Sequence, residues 1–552
     1  MTKLTNIIDK LGDSNPQIFR ELKERLTVRN ITLAIVCAAI VQGLVLLYFN
    51  GQIPVPTDEA LSAQKLGVHS SYCLVPPSSG YDESYCRLSP NGGFIIDWQK
   101  WWLDIFTCLA WILPFGLILG SVYTLVADLV REEKRGTLNF IRLSPQSAQT
   151  IFSGKIIGVP SLIYLAIAAI LPLHFIAGMN AGGNITLLLS WDLAIGALAF
   201  LLASATVLYV LLGGVQAILS TIAIGYPLWM PLMAINTVVI RSIERDGDVF
   251  GIDALRWFGL PIASNALLFY AFEIGTCSIA SYWIWQVLER RYLAPTATIV
   301  GKFQSYRLNL CWQIWIAGFA VSAILSSSGG SYVRESAANW FAAIDFAVLL
   351  LLIPTLLPSK QALQDWSRYR RERVTHPQRK FWQRELMTDL IGNDKSPALL
   401  AVVINLGMAL VLWLPLSFFA FARLLTGFQF AVSICIAASL IAIYAAIAHL
   451  ALFFNFKQRK VWIIGSIGGA MFLPMVGAFV LSSNHTPTGL AATLLVFSPL
   501  ASIGIPQLPI GALVASILTQ LGIFAFLTRQ LQRKLQQSGQ SQTNRLAADR
   551  AI

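Results

Sequence analysis

Apolar runs of membrane-spanning length recur from one end of this chain to the other, separated by short charged segments. Hydrocarbon demands that every backbone polar group be satisfied within the spanning element, so such runs fold as helices of about 20 residues. The runs read as spans over 31–49, 101–127, 151–177, 187–212, 215–240, 258–288, 310–325, 339–357, 398–421, 430–454, 461–481 and 510–527. A stretch from Leu490 to Pro509 is interrupted by Pro499, Pro506 and Pro509 and reads as re-entrant, covered by protein near the outer mouth. Of 552 residues, 56% are hydrophobic and 12% charged, with mean hydropathy +0.64, which excludes a soluble protein of this size. The expected fold class is all-α and polytopic, with about 12 transmembrane helices in two six-helix halves, interfacial amphipathic helices and cytoplasmic connector helices.

The placement of basic residues gives a topology. Of 40 lysines and arginines, 32 fall in the alternate segments assigned to one side, which predicts both termini in the cytoplasm. The net charge of +12 therefore reads as positive-inside bias, and no nucleic-acid partner is expected. The N-terminal residues are too polar and basic for a cleaved signal, so the first span is expected to be a retained anchor. Residues 1–30 form a cytoplasmic segment, 31–288 the first half, 289–307 a cytoplasmic linker, 308–528 the second half and 529–552 a polar cytoplasmic tail. Residues 15–29 predict an interfacial amphipathic helix, with Ile18, Leu22 and Leu26 on one face and Arg20, Lys23 and Glu24 among the polar positions; a solvated basic tail is the alternative.

The loop 50–100 carries five acidic residues against three basic ones, as suits an outer face, and Trp98, Trp101 and Trp102 mark its interface with span two. Cys73 and Cys86 share that loop, where an oxidising compartment would allow a disulfide; two free thiols are the alternative. No metal-ligand spacing occurs.

Between spans two and three lies a charged connector, 128–152, running on to Lys155: Glu132, Glu133 and Arg135 continue a helix, Gly136 interrupts it, and Thr137 is placed to N-cap a short helix with Leu138 and Ile141 on one face. Ser144 and Pro145 read as the N-cap and first residue of the next helix. A solvated loop is the plain alternative. The run EEKRGTLNFIRLSP with SGK, Glu132 to Lys155, resembles the cytoplasmic connector of second-class ATP-binding-cassette exporter permeases, here in a double-length form. The resemblance implies that Glu132, Glu133, Arg135, Gly136, Thr137, Leu138, Ile141 and Pro145 meet cassette ATPase subunits on the cytoplasmic side of a bacterial plasma membrane. It covers only about residues 128 to 160 closely, and a second connector at 358–396 lacks the Arg-Gly-Thr-Leu step. A rival register aligns NPQIFREL with HPQRKFWQREL at 376–386, and the sequence leaves both open.

No Gly-x-x-x-x-Gly-Lys-Ser/Thr loop occurs, so this chain is expected to be a transport subunit without its own ATPase site, binding no cofactor, with ATP and magnesium held by a partner subunit. No catalytic residues are expected. Membrane lipid surrounds it, and a homodimeric pore is as consistent with the sequence as a single-chain one. Glu273, Asp345 and His449 fall within spans, where ionisable groups are costly. They support the alternative of an ion-coupled secondary transporter, against the plainer reading of neutral or hydrogen-bonded groups. Asn236, Asn265 and Asn405 read as interhelical bonds. RYRRER, Arg368 to Arg373, suits anionic headgroups or an acidic partner surface, or simply solvent.

Overall fold

A computed structural model describes residues 15–54, 72–73, 94–143, 145–244, 255–325, 330–372, 385–421, 423–454 and 510–538, with scattered positions between 465 and 503. The chain is an all-α polytopic membrane protein: among the described residues ten helices are long and apolar enough to span a bilayer, or eleven when the bent pair Ala217–Gly225 and Met230–Ile243 counts as one span. The predicted span 461–481 and the re-entrant stretch lie largely outside the described residues. The chain divides into two compact units, Met1–Asp253 with Ile262–Leu293, and Ala254–Pro261 with Ala294–Ile552.

The first unit contains α1 (Pro16–Arg25), α2 (Val28–Asn50), α3 (Trp98–Arg135), α4 (Thr137–Arg142), α5 (Ala148–Gly158), α6 (Ser161–Asn180), α7 (Ile185–Leu211), α8 (Ala217–Glu244) and α9 (Ala266–Leu293). Helix α3 is its axis, packing against α2, α6, α7 and α8, with Ile105, Phe106, Leu109, Ala110 and Leu125 fully buried along it. At 38 residues it is roughly 57 Å long, far more than the hydrocarbon thickness of about 30 Å, so its last turns leave the apolar layer. Those turns carry Asp128 and Glu132. Asn236 is interhelical as expected, accepting from Trp191 Nε1 at 3.0 Å and donating to the Ala110 carbonyl at 2.9 Å.

The predicted third span begins too early. Its first part is the separate helix α5, and the chain breaks at Val159–Pro160 before α6, because a proline at 160 supplies no N–H to carry the ladder onward. The sixth span also starts later than 258. Residues 256–261 form a two-stranded hairpin, β1 (Arg256–Trp257) and β2 (Leu260–Pro261), turning through Phe258 (φ 46°) and Gly259 (φ 81°). Asn265 then caps α9 by accepting from Leu267 N at 2.8 Å, so it is a local cap, not an interhelical bond.

The second unit contains that hairpin and α10 (Lys302–Leu325), α11 (Ser331–Leu356), α12 (Lys360–Glu372), α13 (Glu385–Gly392), α14 (Leu399–Ala420), α15 (Leu424–Ala451) and α16 (Ile510–Ser538). Helix α14 packs on α10, α11 and α15, and α15 on α16. Spans seven and eight both start about two turns before the predicted 310 and 339, at Lys302 and Ser331. Helices α12 and α13 lie within the predicted connector 358–396. Gly318 allows the hairpin to approach α10: a Cβ there would collide with the Trp257 ring, whose Nε1 donates to the Trp315 carbonyl at 3.1 Å.

Candidate functional site

The chemically densest point of the first unit is an ionic block at the far end of α3. Helix α1 starts at Asn15, whose Oδ1 accepts from Gln17 N at 3.0 Å and Ile18 N at 3.2 Å, with Pro16 at the first helical position. Its buried face carries Gln17, Ile18, Glu21 and Leu22, and it lies against α5. Two glycines one turn apart on α5 make the approach close enough. A Cβ at Gly154 would stand 2.7 Å from Gln17 Cβ, and one at Gly158 would clash with Glu21 Cβ.

Between those glycines stands Lys155, 1% exposed. Its Nζ lies 2.6 Å from Glu21 Oε1, 2.8 Å from Asp128 Oδ2 and 2.8 Å from Glu132 Oε1. Two arginines of α1 close the outside: Arg20 Nη2 is 2.6 Å from Glu132 Oε1, and Arg25 Nη2 is 2.5 Å from Asp128 Oδ1. Arg25 Nε also reaches Glu21 Oε2 at 3.4 Å. Three carboxylates thus face three cations, and the block is neutral. Burial alone would pull the Lys155 ammonium down, but the charges of Asp128 and Glu21 and hydrogen bonds to Asp128 and Glu132 outweigh it and hold it above its ordinary value. Oxygens of Glu21, Asp128 and Glu132 lie within 4.8 Å of one another, a spacing a metal could use; here the ammonium fills the space among them.

Beyond the block the chain turns sharply. Gly136 ends α3 in the left-handed region (φ 73°) and itself occupies the N-cap position of α4, so Thr137 is not the cap; its hydroxyl instead donates to the Glu132 carbonyl at 3.1 Å. The next helix starts three residues later than predicted, at Ala148, capped by Ser147, which accepts from Thr150 N at 3.1 Å. Pro145 is exposed before it, and Ser144 lies outside the described residues. Ile141 is buried on the first unit, Glu133 and Arg135 are exposed, and the side chain of Leu138 lies outside the description. The apolar surface the knuckle presents is Phe140 (77% exposed) and Leu143 (85%), neither singled out from sequence.

The structure brings Glu132 of the predicted connector set into the block but joins it to Glu21, Lys155, Arg20, Arg25 and Asp128. The sequence does not reveal the set, because the α1 members lie more than 100 positions from their partners on α3 and α5. A local signal existed: Asp128 and Glu132 are one turn apart at a span's end, and Gly154 and Gly158 flank Lys155.

The intramembrane groups separate. Asp345 is fully buried and accepts 2.8 Å bonds from Trp312 Nε1, Gln313 Nε2 and Trp413 Nε1, a fastener among α10, α11 and α14. His449 bonds the Ala445 carbonyl through Nδ1 (2.7 Å) and accepts from Ala398 N through Nε2 (3.0 Å), capping the start of α14. Asn405 bonds Ser305 across helices at 3.0 Å. Glu273 is the eighth of the 28 residues of α9, about two turns from its start, and its Oε2 has no hydrogen-bond partner among the described residues. A buried lysine outside the predicted set, Lys302, donates to the carbonyls of Leu390 (2.8 Å) and Pro397 (3.0 Å). Cys73 is disulfide-bonded, and Cys86 lies outside the described residues.

No family model, curated protein or solved structure matches the chain.

Proposed function

We propose that this chain is the membrane-spanning subunit of an ATP-binding-cassette exporter, moving a substrate outward with ATP hydrolysed by separate ATPase subunits. The observation that carries the reading is the ionic block: it fastens the amphipathic helix α1 to the projecting end of α3 and to α5, directly beside a knuckle exposing Phe140 and Leu143. A push on α4 would reach α3 through the Gly136 turn and α1 through Lys155, Arg20 and Arg25. In this account both termini are cytoplasmic, the membrane is a bacterial plasma membrane, and the two units are the two halves of a twelve-span permease. The order of packing supports the register in which α10 and α11 repeat α2 and α3: α14 packs on α10 and α11 as α6 packs on α2 and α3.

The test is affinity purification of the detergent-solubilised protein with an ATPase assay on what accompanies it. Wild type should bring an ATPase, and Phe140→Asp, Leu143→Asp and Glu133→Arg should lose it. Absence of any ATPase from a folded wild-type sample contradicts the reading.

Ion-coupled transport through Glu273 is the second reading, favoured by the unpartnered buried oxygen of that carboxyl. Glu273→Gln should abolish transport in that case and leave it near wild type if the knuckle drives the cycle.

A further inference from the structure

At the end of the first unit that holds the ionic block, a groove of about 640 Å³ opens between the N-termini of α1 and α5 and the flanks of α7 and α9. Helix α9 contributes one continuous stripe to it, Ser278, Ser281, Tyr282, Trp285 and Gln286, spaced as one helical face. The wall sets polar side chains among apolar and aromatic surface and carries no charge: none of its lining residues is Lys, Arg, His, Asp or Glu. Hydroxyls and amides at Asn15, Ser147, Thr150 and Ser153 complete the end near α5.

One of these groups has hydrogen-bonding capacity left over. The Ser281 hydroxyl is buried, with the residue 4% exposed, and has no hydrogen-bond partner among the described residues. Gln149, Tyr282 and Gln286 add further amide and hydroxyl groups to the same wall. Beside them stand aromatic faces: Phe200 and Trp285 stack at 6.0 Å with their planes 9° apart, Trp285 fixed by its Nε1 bond to Ser204 Oγ at 2.9 Å.

Amide and hydroxyl groups beside aromatic faces, with no formal charge, complement a ligand rich in hydroxyls and carrying none either. An anionic headgroup would find no cation here to repay its desolvation. We propose that this groove binds the neutral sugar headgroup of a membrane glycolipid, with Ser281 and Gln286 bonding sugar hydroxyls and Tyr282 and Trp285 meeting the sugar's apolar face. The groove lies on helices that span the bilayer, so the acyl chains of such a lipid could stay in hydrocarbon while the headgroup entered. The inference deepens the exporter reading by naming its substrate class, yet binding itself needs no ATPase.

The experiment is native mass spectrometry of the full chain after incubation in detergent with monoglucosyl-diacylglycerol, phosphatidylglycerol or methyl glucoside. Glucosyl lipid should be retained about tenfold more tightly than phosphatidylglycerol, and Ser281→Val and the exposed-site variant Tyr282→Ala should each lower that retention by up to about tenfold. Equal retention of the two lipids overturns the proposal, as does unchanged retention in both variants. Competition by methyl glucoside at the concentration of the glucosyl lipid would overturn the lipid assignment in favour of a free saccharide. If an ATPase co-purifies while the lipid preference is absent, the sugar assignment fails alone; if the preference holds and no ATPase is found, the exporter reading fails alone.

Discussion

Lys155→Met tests whether the ionic block holds α1 in place. The substitution keeps most of the side-chain volume and removes the ammonium that contacts Glu21, Asp128 and Glu132 at 2.6 to 2.8 Å. Three carboxylates then face two guanidiniums. Removing one partner of a buried ion pair costs about 3–5 kcal/mol because a buried charge is left uncompensated. Here the lower end applies, since Asp128 and Glu132 keep Arg25 and Arg20, and the Arg20 side chain is 48% exposed and already screened. A loss of about 3 kcal/mol raises the opening equilibrium of α1 by roughly two powers of ten. Hydrogen exchange over residues 16–25 reads that opening directly. Adding Glu21→Gln restores two acids against two bases and should recover much of the protection, a coupling that independent sites would not show. Unchanged exchange in Lys155→Met, or a double variant worse than the sum of the singles, would refute the reasoning.

Gly158→Ala places a methyl against Glu21 Cβ and should loosen α1 by about 1–3 kcal/mol in the same exchange measurement, whereas Gly196→Ala, with open space around it, should leave that exchange unchanged. Asp345→Leu removes the acceptor of three donors and leaves the buried Trp413 Nε1 without its partner, at about 1–3 kcal/mol, while Gln313 Nε2 keeps Asn309 Oδ1; it should lower the thermal unfolding midpoint of the second unit, and an unchanged midpoint would contradict its role as a fastener. The pH dependence follows from the raised Lys155 pKa: its contribution is fully present below the ordinary lysine value of 10.5 and is lost as pH rises through the higher folded value. Protection of α1 should therefore hold from pH 8 to 10 in wild type, after correction for intrinsic exchange, and fall only above that range; a decline beginning at pH 8 would contradict this assignment.

Hydropathy located the apolar helices well because the bilayer imposes length and composition on each of them. Spans one, two and four lie within a few residues of their expected starts, and Asp97 caps α3 by accepting from Lys100 N, just before the Trp98–Trp102 cluster. The errors occurred where apolar sequence does other work. Ile156 and Val159 look like the start of a span but pack α5 into the first unit ahead of Pro160, and Phe258 to Pro261 reads as membrane though it forms a hairpin. The connector's break at Gly136 was legible because only that residue readily takes φ 73°. The block was not legible, since Glu21 looks like one more polar position on an amphipathic helix. Its role exists only once α5 brings Lys155 from 134 positions away.

The central claim is that the α4 knuckle receives a cassette ATPase, and a photo-crosslinking residue at position 140 tests it most directly. Phe140 is exposed and apolar, so crosslinking in cells should yield one adduct identified as an ATPase, absent when the probe is placed at the equally exposed Tyr332. Adducts only to lipid, or the same adducts from both positions, would contradict the account.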